Sequence, residues 1–222
     1  MAKTDETPKV SKFERNIANF LGSKKNLLIG IAIAIVVVVA LLWLGISLTE
    51  KKATANQVKI DNLQGSFNEW VVEEERDVPT NLIAELKEFA GKKGTSYPVV
   101  KANYLLGLIS FYQEEYQEAK DLFLIVAEKG KNSYFGSLGL INAAVASEQL
   151  NDNEGALEYY QRLYDRYGNE AAEAPKALFS IARLHEANGD IELAKAILQQ
   201  LADEFPASEY AKLAQTRLIL FP

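Results

Sequence analysis

Three alanines recur at nearly equal intervals in the second half of the chain. Ala119, Ala156 and Ala194 are separated by 37 and 38 residues. The residue four positions later is large and apolar in every case: Phe123, Tyr160 and Leu198. A small residue allows two helices to approach closely, and a large residue one turn later fills the space beside it. This period predicts a stack of helix-turn-helix hairpins that bury their apolar faces against one another.

Each unit of this period resembles a tetratricopeptide repeat (TPR). The first unit reads LLGLISFYQEEYQEAKDLFLIVA and has Leu106 and Gly107 in its first helix, whereas the second is a weaker match with Ala143 and Ala144 at those positions. The third unit ends at Pro206, which closes the second helix as in the family motif. The resemblance implies an all-α fold in which an α-solenoid of about three TPR hairpins is flanked by capping helices.

Two details of the repeats predict their turns. The usual TPR period is about 34 residues, so the observed spacings of 37 and 38 predict longer loops at 129–133 and 168–173. In the turn of the third unit, Asn188 and Gly189 favour the left-handed conformation that ends a helix, and Asp190 is expected to cap the helix that follows.

An uncharged apolar stretch precedes the repeats. Asn26 to Leu48 would span about 35 Å as a helix, which is enough for the hydrocarbon core of a bilayer. We therefore predict an uncleaved transmembrane helix. The alternative is a cleaved signal peptide with a nominal site at 53–55. Against it, the apolar stretch is about twice as long as a signal core, and Lys51 and Lys52 stand before the site.

The charges on either side of the apolar stretch predict its orientation. Residues 1–25 hold six basic and three acidic side chains, and the rest of the chain holds 18 basic and 27 acidic ones. Because basic flanks stay in the cytoplasm, the TPR domain is expected on the periplasmic side of a bacterial inner membrane. The acidic outer part argues against nucleic-acid binding. The predicted regions are a cytoplasmic tail (1–25), a transmembrane helix (26–48), a linker helix with a degenerate hairpin (49–96) and a TPR domain (97–222).

Apolar residues also predict helices at both ends of the repeats. A helix over 50–76 would place on one face Val58, Leu63, Phe67, Trp70 and Val71. Pro79 then breaks the pattern, and a short helix over 81–92 would turn inward Leu82, Ile83, Leu86 and Phe89. A last helix over 208–220 would cap the stack with Tyr210, Ala211, Leu213, Ala214, Leu218 and Ile219.

Residues suited to catalysis or metal binding are few. His185 is the single histidine and cysteine is absent, which excludes disulfides, thiolate metal ligands and a cysteine nucleophile. We expect His185 to pack between helices, and we interpret Glu114, Glu115 and the glutamates at 73–75 as solvated helix faces and turns. The sequence therefore predicts no enzyme, no metal site and no cofactor.

The concave face of the solenoid is the predicted binding surface. In TPR proteins particular first-helix positions line this face. Alignment of the repeats transfers those positions to Lys101, Tyr104, Leu108, Phe111, Tyr112, Leu138, Ile141, Val145, Lys176, Phe179 and Arg183. Most of them are apolar, and exposed apolar surface of this kind suits a peptide or an amphipathic helix of another protein. The alternative is a groove filled by the chain's own terminal helices.

The arrangement as a whole resembles the ancillary Sec-translocon subunit family, and ELKEFAGKKGTSYPVVKANYLLG carries the likeness in sequence. That resemblance implies partners among translocon subunits, a periplasmic chaperone and exported chains. A second interpretation is a structural adaptor in a division, outer-membrane-assembly or flagellar-motor complex. It is based on the stretch EFPASEYAKLAQTRL, which resembles the terminal repeats of periplasmic assembly and division-coordinating proteins.

Overall fold

The computed structural model describes residues 22–72 and 77–221, together with Lys12, Ile17 and Phe20. The rest of the predicted tail and the glutamates at 73–75 lie outside these residues. Within them all regular structure is helical and no strand occurs, as the sequence predicts. The helices are α1 (Lys25–Val72), α2 (Thr80–Ala90), α3 (Tyr97–Tyr112), α4 (Tyr116–Lys129), α5 (Tyr134–Gln149), α6 (Asn153–Tyr167), a 3-10 turn (Gly168–Glu170), α7 (Ala174–Ala187), α8 (Ile191–Glu204) and α9 (Glu209–Leu220).

The chain divides into two compact units, Met1–Ala55 and Asn56–Pro222. The first unit contains the apolar part of α1, whose side chains, such as Ile35, Leu42 and Trp43, are exposed. This helix is long and apolar enough to cross a membrane. The second unit contains the remainder of α1 and all the later helices.

In the second unit, consecutive helices form antiparallel hairpins. The last part of α1 packs with α2, and α3/α4, α5/α6 and α7/α8 follow as three hairpins before α9. The first core cluster joins α1, α2 and α3 through buried residues: Ile60, Leu63, Phe67, Trp70, Leu82, Leu86, Phe89, Leu105 and Ile109. A second large cluster joins the last two hairpins to Ala214 of α9. The core therefore lies between successive helices along the stack, as in other repeat arrays.

The turns inside the three hairpins have the same backbone geometry. A residue with positive φ stands in each turn: Glu114 at 63°, Asn151 at 59° and Gly189 at 86°. The amide that follows donates to the carbonyl five residues earlier, for example from Glu115 to Ser110 at 2.8 Å. This is the usual left-handed end of a helix. It recurs with the spacing of the alanines, so the 37- and 38-residue period is structural.

The third turn differs from the prediction in two respects. Asn188 has φ of −80° and is not left-handed, so Gly189 alone makes the turn. The Asp190 side chain does not cap α8; its Oδ2 lies 3.2 Å from Nδ1 of His185 instead. Asp152 does cap its helix, because its Oδ1 accepts from the Gly155 amide at 3.0 Å.

Small residues allow close contact both within and between hairpins. The three periodic alanines are fully buried, as predicted. A Cβ on Gly107 would lie 2.8 Å from the Phe123 ring, inside the first hairpin. A Cβ on Gly139 would lie 2.7 Å from the carbonyl oxygen of Phe123. Here α5 packs directly on the backbone of α4, which belongs to the preceding hairpin.

The predicted longer loops are present between hairpins, but three apolar positions differ from the prediction. Val58, Leu213 and Ile219 are exposed (55, 50 and 82%) rather than packed inward. The buried face of α1 runs through Ile60 and Leu63, and Val58 points away because each residue adds about 100° around a helix. On α9, likewise, the inward face is the one that carries Ala211, Ala214 and the partly buried Leu218.

Candidate binding groove

The predicted groove residues lie on the first helices of the three hairpins. They fall in three sets on α3, α5 and α7: Lys101, Tyr104, Leu108, Phe111 and Tyr112; Leu138, Ile141 and Val145; Lys176, Phe179 and Arg183. The Tyr104 ring lies 5.7 Å from that of Phe135 on α5, and Arg183 on α7 pairs with Glu148 on α5. The first helices therefore adjoin one another. The surface formed by these three sets of residues is called the groove from here on.

Aromatic rings dominate the part of the groove between α3 and α5. Phe135 lies at the centre, with ring centroids 5.9 Å from Tyr97, 5.7 Å from Tyr104 and 4.3 Å from Tyr134. Burial, opposed by a hydrogen bond with Asn142, raises the pKa of Tyr104. The Tyr134 ring stacks on Phe135 with one face, and the residue as a whole is 60% exposed. This cluster offers a rigid apolar surface with phenol groups at its edge.

The centre of the groove is apolar and only partly covered. Leu138 and Val145 on α5 and Leu108 on α3 are half-buried. Ile141 is an exception to the prediction, because it is only 4% exposed and belongs to the core with Ala174 and Leu178 of the next hairpin. Little of its side chain is accessible to a partner.

The chain's terminal helices adjoin both ends of the groove. On one side, Asp61 of α1 accepts from Lys101 at 2.8 Å, and the hydrogen bond from this lysine lowers the pKa of the Asp61 carboxyl. Trp70 of α1 packs edge-on against Tyr112, with centroids 5.8 Å apart. On the other side, Tyr210 of α9 lies 5.8 Å from Phe179. The terminal helices thus contact the outermost hairpins, while Leu138 and Val145 in the middle keep part of their surface exposed.

Ion pairs occupy the far part of the groove. Arg183 of α7 pairs with Glu148 of α5, and Arg217 of α9 pairs with Glu186 of α7. Glu148 also accepts a hydrogen bond of 2.7 Å from the buried Tyr160 hydroxyl. Burial, and then the adjacent Glu148, raises the pKa of Tyr160. Both arginines in this part are neutralised by glutamates of the neighbouring hairpin.

A cleft opens beside the aromatic part of the groove, between the two longer loops. It has a volume of about 420 Å³ and is lined by Lys131, Asn132, Ser133, Tyr134, Ser137, Tyr167, Glu170, Ala171, Ala172 and Glu173. The Tyr167 hydroxyl donates to the Lys131 carbonyl at 3.2 Å and joins the two loops. The cleft lies between the two loops that the 37- and 38-residue spacings of the repeats predict to be long.

In the part of the chain that the structure covers, the side chains suited to metal binding do not cluster. No group of three or more His, Asp or Glu side chains in that part could hold a metal ion. His185 lies near the surface of α7 next to Asp190.

Several groove residues were not predicted from the sequence. Tyr134 and Tyr97 belong to the aromatic cluster but stand at helix starts, outside the family's lining positions. Glu148 and Glu186 were also missed, although their spacing of 38 residues equals that of the second and third repeats. A comparison of polar residues one repeat apart would have found Glu148 and Glu186.

Comparison with known proteins agrees with this geometry. The sequence model of the tetratricopeptide repeat matches residues 139–169 and 176–208, which belong to the second and third hairpins. The chain is 29% identical over 141 residues to a "TPR repeat-containing protein" of Treponema pallidum (strain Nichols). That match covers 62% of this chain and 57% of the relative, so the chain spans little more than half of the relative's length.

A solved structure shows the same fold. It is a crystal structure from Podosopora anserina of nearly identical TPR-like repeats, described under the name kinesin light chain. The TM-score is 0.55 at 14% identity, and the match covers 75% of this chain and 84% of the other. The repeated turn geometry, the close-packed alanines and these matches together show tetratricopeptide repeats at 139–169 and 176–208, and this repeat fold is typically a non-enzymatic scaffold for protein interactions.

Proposed function

We propose that this protein is a membrane-anchored interaction module that holds segments of other proteins in its groove. The observation that carries the proposal is the row of half-buried apolar side chains along the middle first helix, Leu138 and Val145, beside the exposed ring of Tyr134. Binding of an apolar partner removes such a surface from water and thereby lowers the free energy of the complex.

The proposed location is a bacterial inner membrane, with the N-terminus in the cytoplasm and the TPR domain in the periplasm. The apolar helix and the basic residues ahead of it support this topology. In spheroplasts, protease added from outside should digest the TPR domain while the inner membrane is intact. Digestion only after the membrane is ruptured would contradict the topology.

At this location, the protein would act beside the Sec translocon, where it would assist exported chains together with a periplasmic chaperone. A groove that accepts short apolar segments suits chains that have just crossed the membrane and are still unfolded. The alternative, a structural adaptor of a cell-envelope assembly, would use the same groove for one permanent partner.

Affinity purification from detergent-solubilised membranes distinguishes these functions. The native chain should retain translocon subunits and a chaperone, and Leu138→Glu/Val145→Glu should lose them because charges interrupt the apolar row. The matched control is Ile125→Glu/Leu193→Glu, which changes two exposed apolar residues of the second helices α4 and α8. One stoichiometric envelope complex in place of translocon subunits would favour the adaptor. Equal retention by both variants would contradict the groove proposal.

A further inference from the structure

The cleft between the two longer loops contains two acidic side chains with no partner. Glu170 and Glu173 line it, and neither carboxylate makes a hydrogen bond or an ion pair with any residue in the described ranges. Lys131, the basic residue of the lining, pairs with Glu128 at 3.1 Å. The cleft therefore presents unneutralised negative charge, whereas Arg183 and Arg217 in the far part of the groove are neutralised.

The hydroxyl groups of Ser133, Ser137 and Tyr167 in the cleft donate to backbone carbonyls. Ser133 Oγ donates to the Gly130 carbonyl at 2.9 Å, and Ser137 Oγ donates to the Tyr134 carbonyl at 3.0 Å. Together with the Tyr167 bond to Lys131, these contacts hold both loops in place. The acidic side chains thus stand on a fixed frame, which reduces the ordering cost of binding.

Tyr134 forms the aromatic wall of the cleft. One face of its ring is packed on Phe135, with an interplanar angle of 28°, and the residue is 60% exposed. An aromatic face next to carboxylates suits an organic cation, because the ring quadrupole and the negative charges attract it together.

The cleft is continuous with the apolar row of the groove. Tyr134, Leu138 and Val145 stand on α5 at intervals of four and seven residues, so they share one side of the helix. Glu173 is close enough to Tyr104 to help raise the pKa of that phenol. From Tyr134 to Val145 the helix rises by about 16 Å.

We propose that the cleft binds an arginine or lysine side chain of the segment held in the groove. The partner is then an apolar segment that carries a basic residue at one end, about 16 Å from its farthest apolar contact. This inference rests on the proposed function and names the chemistry of the partner. The guanidinium or ammonium group would lie on Tyr134 and pair with Glu170 and Glu173.

Binding of synthetic peptides to the full chain in lipid nanodiscs tests the inference. The probe is a labelled, water-soluble 15-residue helical peptide with three leucines on one face and arginine at one end. A second peptide has citrulline there, which keeps the shape and removes the charge. Fluorescence anisotropy with empty nanodiscs gives the background from lipid. We expect the arginine peptide to bind roughly fivefold to tenfold more tightly, with the preference weakening as salt is added.

Two variants assign this preference to the cleft. Glu170→Gln/Glu173→Gln should remove it and leave citrulline-peptide binding unchanged. Glu118→Gln/Glu154→Gln is matched in charge, changes exposed first-turn glutamates of α4 and α6, and should retain it. Circular dichroism checks that all variants fold.

The outcomes separate the two proposals. Equal binding of both peptides to the native chain, or an arginine preference that survives Glu170→Gln/Glu173→Gln, overturns the cation site but leaves the groove intact. Binding of neither peptide, or binding that Leu138→Glu/Val145→Glu does not weaken, overturns the proposed groove function as well.

Discussion

The two halves of the groove are built from different interactions. Between α3 and α5, aromatic rings around Phe135 hold neighbouring hairpins together. Between α5, α7 and α9, the groove surface carries arginine–glutamate pairs and one contact between the rings of Phe179 and Tyr210, beside the buried apolar core. Apolar burial contributes much more free energy than half-exposed ion pairs do. We therefore expect the aromatic contacts of the first half to stabilise the array more than the exposed ion pairs of the second half do.

The largest effect is expected where α5 packs on the backbone of α4, next to the aromatic half of the groove. Gly139→Ala would force a Cβ against the Phe123 carbonyl and the Ala127 backbone, so the hairpins must separate. We expect a loss of about 3 kcal/mol in the free energy of unfolding, measured by urea unfolding of the detergent-solubilised chain.

The control for this prediction is Gly65→Ala in α1. A Cβ there meets nothing within 4 Å, and alanine is the better helix former, so a gain of about 0.5–1 kcal/mol is expected. If both substitutions have the same effect, close packing between α4 and α5 does not stabilise the array.

The two ion pairs should differ from each other. Glu148→Ala removes the partner of Arg183 and also the acceptor of the buried Tyr160 hydroxyl, so a loss of about 1–3 kcal/mol is expected. Glu186→Ala breaks a similar pair with Arg217 and should cost less than about 1 kcal/mol. Urea unfolding of both variants checks the order. A larger loss for Glu186→Ala would reverse our interpretation of the second half.

Stability should fall at alkaline pH because of Tyr160. In the folded state, burial and Glu148 raise the pKa of this tyrosine above its ordinary value of 10.0. The folded chain therefore keeps the phenol protonated after the unfolded chain has begun to lose its proton. The stabilisation is complete below pH 10 and is lost as the pH rises from 10 towards the folded-state pKa, by at most about 1.4 kcal/mol per pH unit.

Unfolding of native protein and Tyr160→Phe at pH 8 and pH 10.5 measures this contribution. Other tyrosines and lysines titrate in both proteins, so the difference between them isolates Tyr160. The native chain should lose more stability than the variant over this interval. An equal loss would show that the Tyr160 environment is unchanged by unfolding.

The smallest effect is expected on α9. Leu213 is half exposed and lies on the outer side of the terminal helix, so Leu213→Ser should change the free energy of unfolding by less than about 0.5 kcal/mol. Thermal unfolding followed by circular dichroism is sufficient to test this. A loss above 2 kcal/mol would mean that α9 is covered by another surface.

Much of the fold followed from the sequence because the repeat period records helix packing directly. Ala119, Ala156 and Ala194 are buried where two helices meet, so only a small side chain fits. The lengths of the loops followed from the same period. The inward face of a terminal helix was harder to predict, since Leu213 and Ile219 are as apolar as the residues that do pack.

The site was predicted less completely because its contacts cross between hairpins. Family positions identified Tyr104 and Leu138, but the core position of Ile141 depends on how closely α7 approaches α5. The partners of Arg183 and Lys101 come from α5 and α1. The cleft arises from two loops separated by about one repeat, and no local pattern in either loop indicates it.

Site-specific photo-crosslinking in living cells tests the groove most directly. Benzoylphenylalanine placed at Val145, in the apolar row, should crosslink to a translocon subunit, a chaperone or an exported chain. At Leu193, on the exposed side of α8, it should give no such adduct. Adducts at Leu193 and none at Val145 would contradict the claim that this protein holds its partners in the groove.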